Sequence, residues 1–328
     1  MAQRRRKIWR RGIVLLLLIG AIIWTEQEFN LRSNLMLYLI RDTELDLLLY
    51  ADSKDDWESV FAISKADIKA DLDTLFDMEG LLHCQLRIHR ASEDWRVSTI
   101  NAISSPHLNI FEFDPAFFRF EAAFDKHFKL TTATQLAKQK ELNFCINANY
   151  FDENDKPLGA VIHQGKQVNR NFPNWTGFFF VKNGKPYFGP KSLLEQTAGQ
   201  PSELLQCYPS IMKDHLVFDY VHLKSNPYFD GNSKTYRSLA GMRKNGHIIW
   251  IVSAEGGILD VRELASLAEK LGLQHATLFD GGSSLQYQLS YHGHHHSFSA
   301  LSERFSLAPL IPQLDIVHPP VYLGVKAN

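Results

Sequence analysis

Ala276-Thr277-Leu278-Phe279-Asp280-Gly281-Gly282-Ser283-Ser284 runs a short strand-forming segment into a carboxylate, two glycines and two hydroxyls. Paired glycines let the backbone turn sharply and approach a ligand closely, because no Cβ restricts the dihedrals. The N–H groups of Gly281, Gly282, Ser283 and Ser284 are then candidates for a small anion-binding concavity beside Asp280. A carboxylate next to such a nest suits a substrate that joins a sugar-like carbon to a phosphate. On this stretch alone a plain tight turn capped by Ser283 accounts for the residues equally well. The surrounding chain separates the two readings.

Just upstream, Asp260-Val261-Arg262-Glu263 has a capping-box pattern. The helix it opens carries Val261, Leu264, Ala265, Ala268 and Leu271 on one face, and Gly272 ends it. Residues 236–242 and 247–252 read as strands joined at Lys244-Asn245-Gly246. Residues 276–279 are expected as a parallel strand reached by crossover from 247–252. In α/β arrangements ligands gather beyond the carboxyl ends of strands. Asp280, Ser253 and Glu255 sit at such ends, as do Asn147, Asn149 and Asp152 after the buried segment 144–149.

Farther upstream, residues 86–89 and 108–113 alternate as strands. Thr131-Thr132-Ala133-Thr134 starts a helix expected to reach about Lys140. Gln164-Gly165 and Asn183-Gly184 mark hairpins, and residues 193–202 read as a polar loop. The expected fold is mixed α/β (α+β): a mixed sheet with antiparallel hairpins around a βαβ unit, covering residues 81–328. A helical segment, residues 29–80, precedes it as a stalk or packing piece. Within it, Ser64-Lys65-Ala66-Asp67 opens a helical spacing through Ile68, Leu72, Leu75 and Phe76.

The extreme N-terminus is a targeting element. Arg4, Arg5, Arg6, Lys7, Arg10 and Arg11 precede the apolar run 13–24, the layout of a signal sequence. Bulky residues follow where a cleavage site would need small ones. Residues 1–28 are therefore expected to remain as a signal-anchor in the inner membrane, arginines inside and the rest in the periplasm. Secretion after cleavage is the alternative. Removing those six charges from the overall −1 leaves the remainder near −7, which disfavours nucleic acid as a partner. The 45% apolar content suffices for a large core. Cys84, Cys145 and Cys207 show no zinc spacing, and at least one is expected as a buried free thiol. His292-Gly293-His294-His295-His296 reads as a solvated loop rather than a metal site.

Asn147-Ala148-Asn149-Tyr150-Phe151-Asp152, Gly159, Tyr208-Pro209-Ser210-Ile211-Met212, Arg237-Ser238-Leu239-Ala240-Gly241-Met242 and Phe279–Ser284 occur in that order. The ordered set resembles the phosphodiester glycosidase family over about residues 95–300. Ala148 and Asn149 stand where that family's pattern has a glycine pair, and the Asp280 turn has one glycine fewer. The resemblance implies hydrolysis of a sugar-1-phosphodiester, with Arg237 on the phosphate and no cofactor. The residues suit that chemistry on their own terms. Glycosyl cleavage is normally managed by carboxyl groups, and Asp280, Asp152 and Glu255 are the candidates. Arg237 can clamp a phosphate through two parallel hydrogen bonds. Asn147, Asn149, Gly159 and Ser210, with the 281–284 turn, are the candidate substrate-binding positions. Asp152 and Asp280 could instead hold a divalent cation. The expected substrate is a sugar phosphate or polysaccharide of envelope or exopolysaccharide material. A glycan-binding module that keeps the pocket without turnover, using Tyr150, Phe151 and Trp175, is the second reading.

Overall fold

The computed structural model of the chain describes residues 2–222, 231–301 and 317–328. The side chains of residues 2–8 and 10, which carry most of the N-terminal cations, lie outside the description.

Ile248–Ser253, with the sequence Ile-Ile-Trp-Ile-Val-Ser, is buried at every residue. An apolar β-branched run of this kind needs cover on both faces. Side chains alternate across a strand, so Ile248, Trp250 and Val252 meet Phe111, Phe113, Phe144 and Phe279 on one side. Ile249 and Ile251 meet Leu264, Leu267, Ala268 and Leu271 of the helix Val261–Lys270 on the other. Each such side chain contributes about 1.5–3 kcal/mol on full burial, which makes this strand the middle of a large sheet.

That sheet has eight strands, in the order Leu216–Val217, Ser210–Lys213, His275–Phe279, Ser238–Met242, Ile248–Ser253, His107–Phe113, Leu81–Arg87 and Leu72–Met78. Every neighbouring pair is antiparallel. The crossover through Val261–Lys270 therefore links two parallel strands that are not adjacent: Ser238–Met242 lies between them. A second sheet contains Phe144–Asn147 between Gln286–Tyr291 and Tyr322–Ala327. A third is built on the hairpin Gly177–Lys182 and Lys185–Pro190. The fold class is thus mixed α/β with antiparallel hairpins, as expected.

Local signals explain most of the elements. Asn183 and Gly184, both at positive φ, join their hairpin in two residues, as do Gln164 and Gly165. Asp260 and Glu263 form the reciprocal capping box, and Thr132 with Gln135 forms another ahead of Ala133–Lys140. Two local expectations are corrected. The helix begun at Ser64 ends at Ala70, and Leu72–Met78 is a strand at the edge of the large sheet. Glu79-Gly80 turns it onto Leu81–Arg87, and that pairing outweighs the helical spacing. The expected loop 193–202 begins inside a short helix, Lys191–Gln196, that follows Pro190, because Leu193 and Leu194 pack on Phe178 and Phe180. All three cysteines are free and buried.

At the N-terminus, helix α1 (Ala2–Phe29) contains a stretch, Arg11–Phe29, long and apolar enough to cross a membrane. Only Asn30 separates it from helix α2 (Leu31–Ile40). Met36 and Ile40 of α2 belong to the main core.

A buried ion pair ties the segment that follows Leu81–Arg87 to the crossover helix. Arg90 is 2% exposed and grips both oxygens of Glu263, while also donating to the carbonyls of Leu45 and Ile258. Burial pushes the Glu263 carboxyl up, but the hydrogen bonds and charge of Arg90 outweigh it and hold the group below its ordinary value. Arg90→Ala would leave that carboxylate unpaired. It should cost about 3–5 kcal/mol, seen as a lowered midpoint in thermal unfolding of the detergent-solubilised chain.

Candidate active site

Phe279 pairs with Ser238 across the ladder, so Asp280 and Arg237 extend it as opposite residues. The two backbones are pressed together there. A Cβ on Gly281 would lie 2.5 Å from the Tyr236 carbonyl oxygen and 3.3 Å from Arg237 Cα, so only glycine fits. Gly282 adopts a left-handed φ of 61°, and the turn folds Ser284 back toward Asp280.

Asp280 is held on all sides. Its N–H donates to the Ala148 carbonyl at 3.0 Å. Asn147 Nδ2 donates to its carbonyl at 3.0 Å and to its Oδ2 at 3.4 Å. The Ser284 hydroxyl and the Gly281 N–H also donate to the carboxylate. Asn147 is itself pinned, since its Oδ1 accepts from the Gln286 N–H at 3.0 Å. Asp280 is only 7% exposed. Burial pushes its pKa up to about 7, against those three hydrogen bonds, which favour the charged form.

Around this carboxyl stands an aromatic wall. Trp175 lies 5.3 Å edge-on from Tyr150, 4.8 Å from Phe172 and 6.1 Å, nearly parallel, from Tyr208. Burial, and next the negative charge of Asp280, raises the Tyr150 hydroxyl well above its ordinary value, with Arg237 acting the other way. Tyr150, Asp280 and Arg237 thus share one electrostatic environment. Tyr150 donates to the Tyr208 carbonyl at 3.0 Å. The wall is organised by Gln206, whose amide bonds the backbone of Phe172, Trp175 and Ala160. Gln206 escaped the sequence reading. A polar residue inside the otherwise buried strand Glu203–Cys207 was the available signal.

The other expected positions are placed as follows. Asn149 is fully buried, and its Nδ2 donates to the carbonyls of Leu158 and Gln206 at 2.9 and 3.0 Å. Its Oδ1 has no partner. Gly159 has φ +87° and sits against Gln206 and Trp175, so it shapes the loop beneath the wall. The Arg237 guanidinium donates to the carbonyl of Ser233 at 2.7 Å and of Leu259 at 3.4 Å. Ser210 is buried, and its hydroxyl donates to the Ala276 carbonyl at 3.2 Å within the sheet. Ser283 is exposed. Asp152 Oδ1 accepts the N–H groups of Asn154 and Lys156, bracing its own turn. Glu255 is half-exposed and faces Arg32 at 3.6 Å. Its strand end lies two strands from that of Asp280, about 10 Å at ordinary strand spacing.

Among the described residues no group of three or more His, Cys, Asp or Glu side chains is arranged to hold a metal ion. The histidine run is not a loop: it turns at His292-Gly293 and forms the strand His294–Ser299. His294 reaches His83, and Asn109 bridges His83 and His296. Burial lowers the pKa of His83 to about 4 and of His296 to about 3, so both are neutral members of a polar seam.

Asp280, a buried carboxyl of near-neutral pKa, and Arg237 thus lie at neighbouring strand ends of a mixed α/β protein. The chain belongs to the phosphodiester glycosidase family, whose sequence model matches residues 140–304, half of its length. Its fold is similar to the catalytic domain of zebrafish N-acetylglucosamine-1-phosphodiester alpha-N-acetylglucosaminidase, auto-inhibited by its pro-peptide. That match has a TM-score of 0.57 at 15% identity, covering 78% of this chain and 86% of the other. A hypothetical protein from Synechocystis is similar at TM-score 0.50 and 14% identity, over 78% of this chain and 64% of that one. No curated protein sequence matches.

The Asp280 carboxyl carries a stability signature. Its folded pKa lies above its ordinary 3.8, so the folded state holds the proton more tightly than the unfolded one. Its contribution is present below about pH 4 and is lost as pH rises through 7, roughly 4 kcal/mol in all. Asp280→Asn should therefore flatten the decline of the unfolding midpoint between pH 5 and 8. An unchanged slope would refute the burial argument.

Proposed function

We propose that this protein hydrolyses a glycosyl-1-phosphodiester bond, with Asp280 as the proton-transferring carboxyl and Arg237 opposing the phosphate charge. The observation that carries the reading is a buried carboxyl that titrates near neutrality, braced by Asn147 and Ser284 and opposite Arg237 in the extended register of the two strands. A general base works best with a pKa near the working pH. In this scheme the oxygen of water bonds to the sugar's anomeric carbon as its proton passes to the Asp280 carboxylate. The anomeric C–O bond breaks, and its electron pair leaves on the phosphate.

That leaving group explains why one carboxyl is enough. A departing phosphomonoester has a second pKa near 6, so it leaves without prior protonation. The general acid that an ordinary glycoside requires is dispensable. Asp152 then serves its turn and Glu255 its ion pair, and neither takes part in bond breaking. Asn149 Oδ1, buried and without a partner, would accept from a sugar hydroxyl or acetamido N–H. The wall of Trp175, Tyr150 and Tyr208 offers an apolar face for the ring. Arg237 would exchange a carbonyl contact for the phosphate.

Residues 1–28 are read as an anchor to the inner membrane. The cationic residues in the first turns of α1 favour the cytoplasmic side; on this reading the site faces the periplasm and its envelope or exopolysaccharide material.

The test is release of free sugar from a glycosyl-1-phosphodiester by the full chain in detergent. Asp280→Asn should lower kcat by about 10²–10⁴-fold, and Arg237→Ala should lower kcat/KM by about 10²–10³-fold. Wild-type kcat/KM should rise through a limb near pH 7. Wild type indistinguishable from buffer, with glycan still bound, would overturn hydrolysis in favour of a binding module. For Asn149→Leu a rise in KM with kcat nearly constant is expected. An unchanged KM would remove Asn149 from the substrate contacts.

A further inference from the structure

We infer that the outward faces of α2 and of the helix Trp95–Ser104 lie in the interface of a lipid bilayer, beside the end of α1. The inference rests on the reading of α1 as a membrane anchor. The stretch Arg11–Phe29 has mean hydropathy 1.6 and is only 6% buried against the rest of the protein. Between it and α2 there is no slack. Asn30 takes a left-handed conformation (φ 45°), breaking the helix. Glu26 then accepts the Arg32 N–H at 3.1 Å and Nε at 2.7 Å, and Asn34 Nδ2 caps the Phe29 carbonyl at 2.7 Å. On its inner side α2 is fixed to the body, with Met36 and Ile40 fully buried and the Gly256 N–H donating to Ser33 Oγ at 2.7 Å.

The outer side is apolar and uncovered. Leu31, Leu35 and Tyr38, at helical spacing i, i+4 and i+7, are 38%, 46% and 82% exposed. Alongside, Trp95 and Ile103 are 73% and 49% exposed. The two helices run antiparallel: Arg32 Nη1 donates to the Ile103 carbonyl at 2.6 Å at one end, and Tyr38 lies within electrostatic range of Arg96 at the other.

Position decides what covers this face. The ten residues of α2 rise about 15 Å in all, so none is far from the layer, roughly 5–8 Å thick, that separates the hydrocarbon from water. Tyr38 and Trp95 are the residue types that settle at that depth, and Arg32, Arg41 and Arg96 flank them, as on helices that lie in the interface. The apolar surface of α1 thus continues onto the domain. The inner face of α2 abuts Gly256, and its Met36 and Ile40 share a core with Tyr236, whose carbonyl lies against Gly281, so the edge carrying Asp280 is fixed to the body that α2 holds.

The experiment uses the full chain reconstituted into vesicles of phosphatidylethanolamine and phosphatidylglycerol, with a phospholipid carrying a diazirine near the glycerol end of its acyl chain. After irradiation and digestion, lipid adducts are expected on α1 and on peptides covering residues 31–38 and 95–103, and not on the hairpin at Asn183-Gly184. The double variant Leu35→Asp, Trp95→Asp should lose adducts on both helices by on the order of tenfold, with those on α1 retained. Adducts confined to α1 would overturn the inference and leave the anchor standing, which is also the result if another protein covers the face. No adducts on α1 would overturn both readings. If the double variant fails to fold, the wild-type map alone decides between these outcomes.

Discussion

The amide of Asn147 joins three pieces of backbone drawn from two sheets. Phe144–Asn147 runs in the second sheet, Asp280 ends a strand of the large one, and Gln286 opens the strand that turns back beside Asn147. One side chain donates to the Asp280 carbonyl and accepts from the Gln286 N–H, while the neighbouring Ala148 carbonyl takes the Asp280 N–H. An unmade hydrogen bond in a fully buried place costs about 1–3 kcal/mol, so every group at this joint is under pressure to find its partner. The sheets can close over the joint only in the register that satisfies all of them, and that register buries the carboxyl.

Burial and hydrogen bonding then pull Asp280 in opposite directions. Removal from water disfavours the anion, and donors from Ser284, Asn147 and Gly281 favour it. Were the donors alone in charge, the group would be a permanent anion and a feeble base. With burial alone it would hold its proton at any physiological pH. The balance lands near neutrality, where a carboxyl can both take and return a proton. The Gly281 N–H is one of those donors, so the glycine turn helps to tune the acid.

Much of this was legible in the sequence wherever a local rule operates. Asn183-Gly184, the Asp260–Glu263 box and the apolar run Ile248–Val252 each specify their element within a few residues, and the ordered motifs around Asn147, Arg237 and Asp280 marked the candidate site. Non-local pairing was less visible. The spacing of Ile68, Leu72 and Phe76 suits a helix until Leu81–Arg87 offers a ladder. The strand inserted between the two parallel partners of the crossover has no signature, because hairpin and crossover rules do not say which edge a strand joins. Polar residues misled for a related reason. Asp152 and Asp280 look alike in sequence, yet one braces an exposed turn and the other is sealed by a second sheet. His294 and His296 read as solvated until His83 and Asn109, two hundred residues away, come up against them.

That histidine seam bears on how the protein tolerates polarity in its core. His83 stacks on Phe111 at 4.4 Å, and Tyr287 bonds Asn109 and reaches the Ser253 carbonyl, so neutral imidazoles, an amide and a phenol satisfy one another in line. Burying a charge there would cost far more than burying these neutral groups. The same arithmetic applies at Asp280 with one difference. There a titratable acid receives hydrogen bonds from Ser284, Asn147 and Gly281, so its charge can appear when the proton leaves. Elsewhere the core admits charge as a matched pair, Arg90 with Glu263, or polarity as neutral groups, whereas at Asp280 burial and hydrogen bonding leave ionisation nearly isoenergetic at the end of a strand.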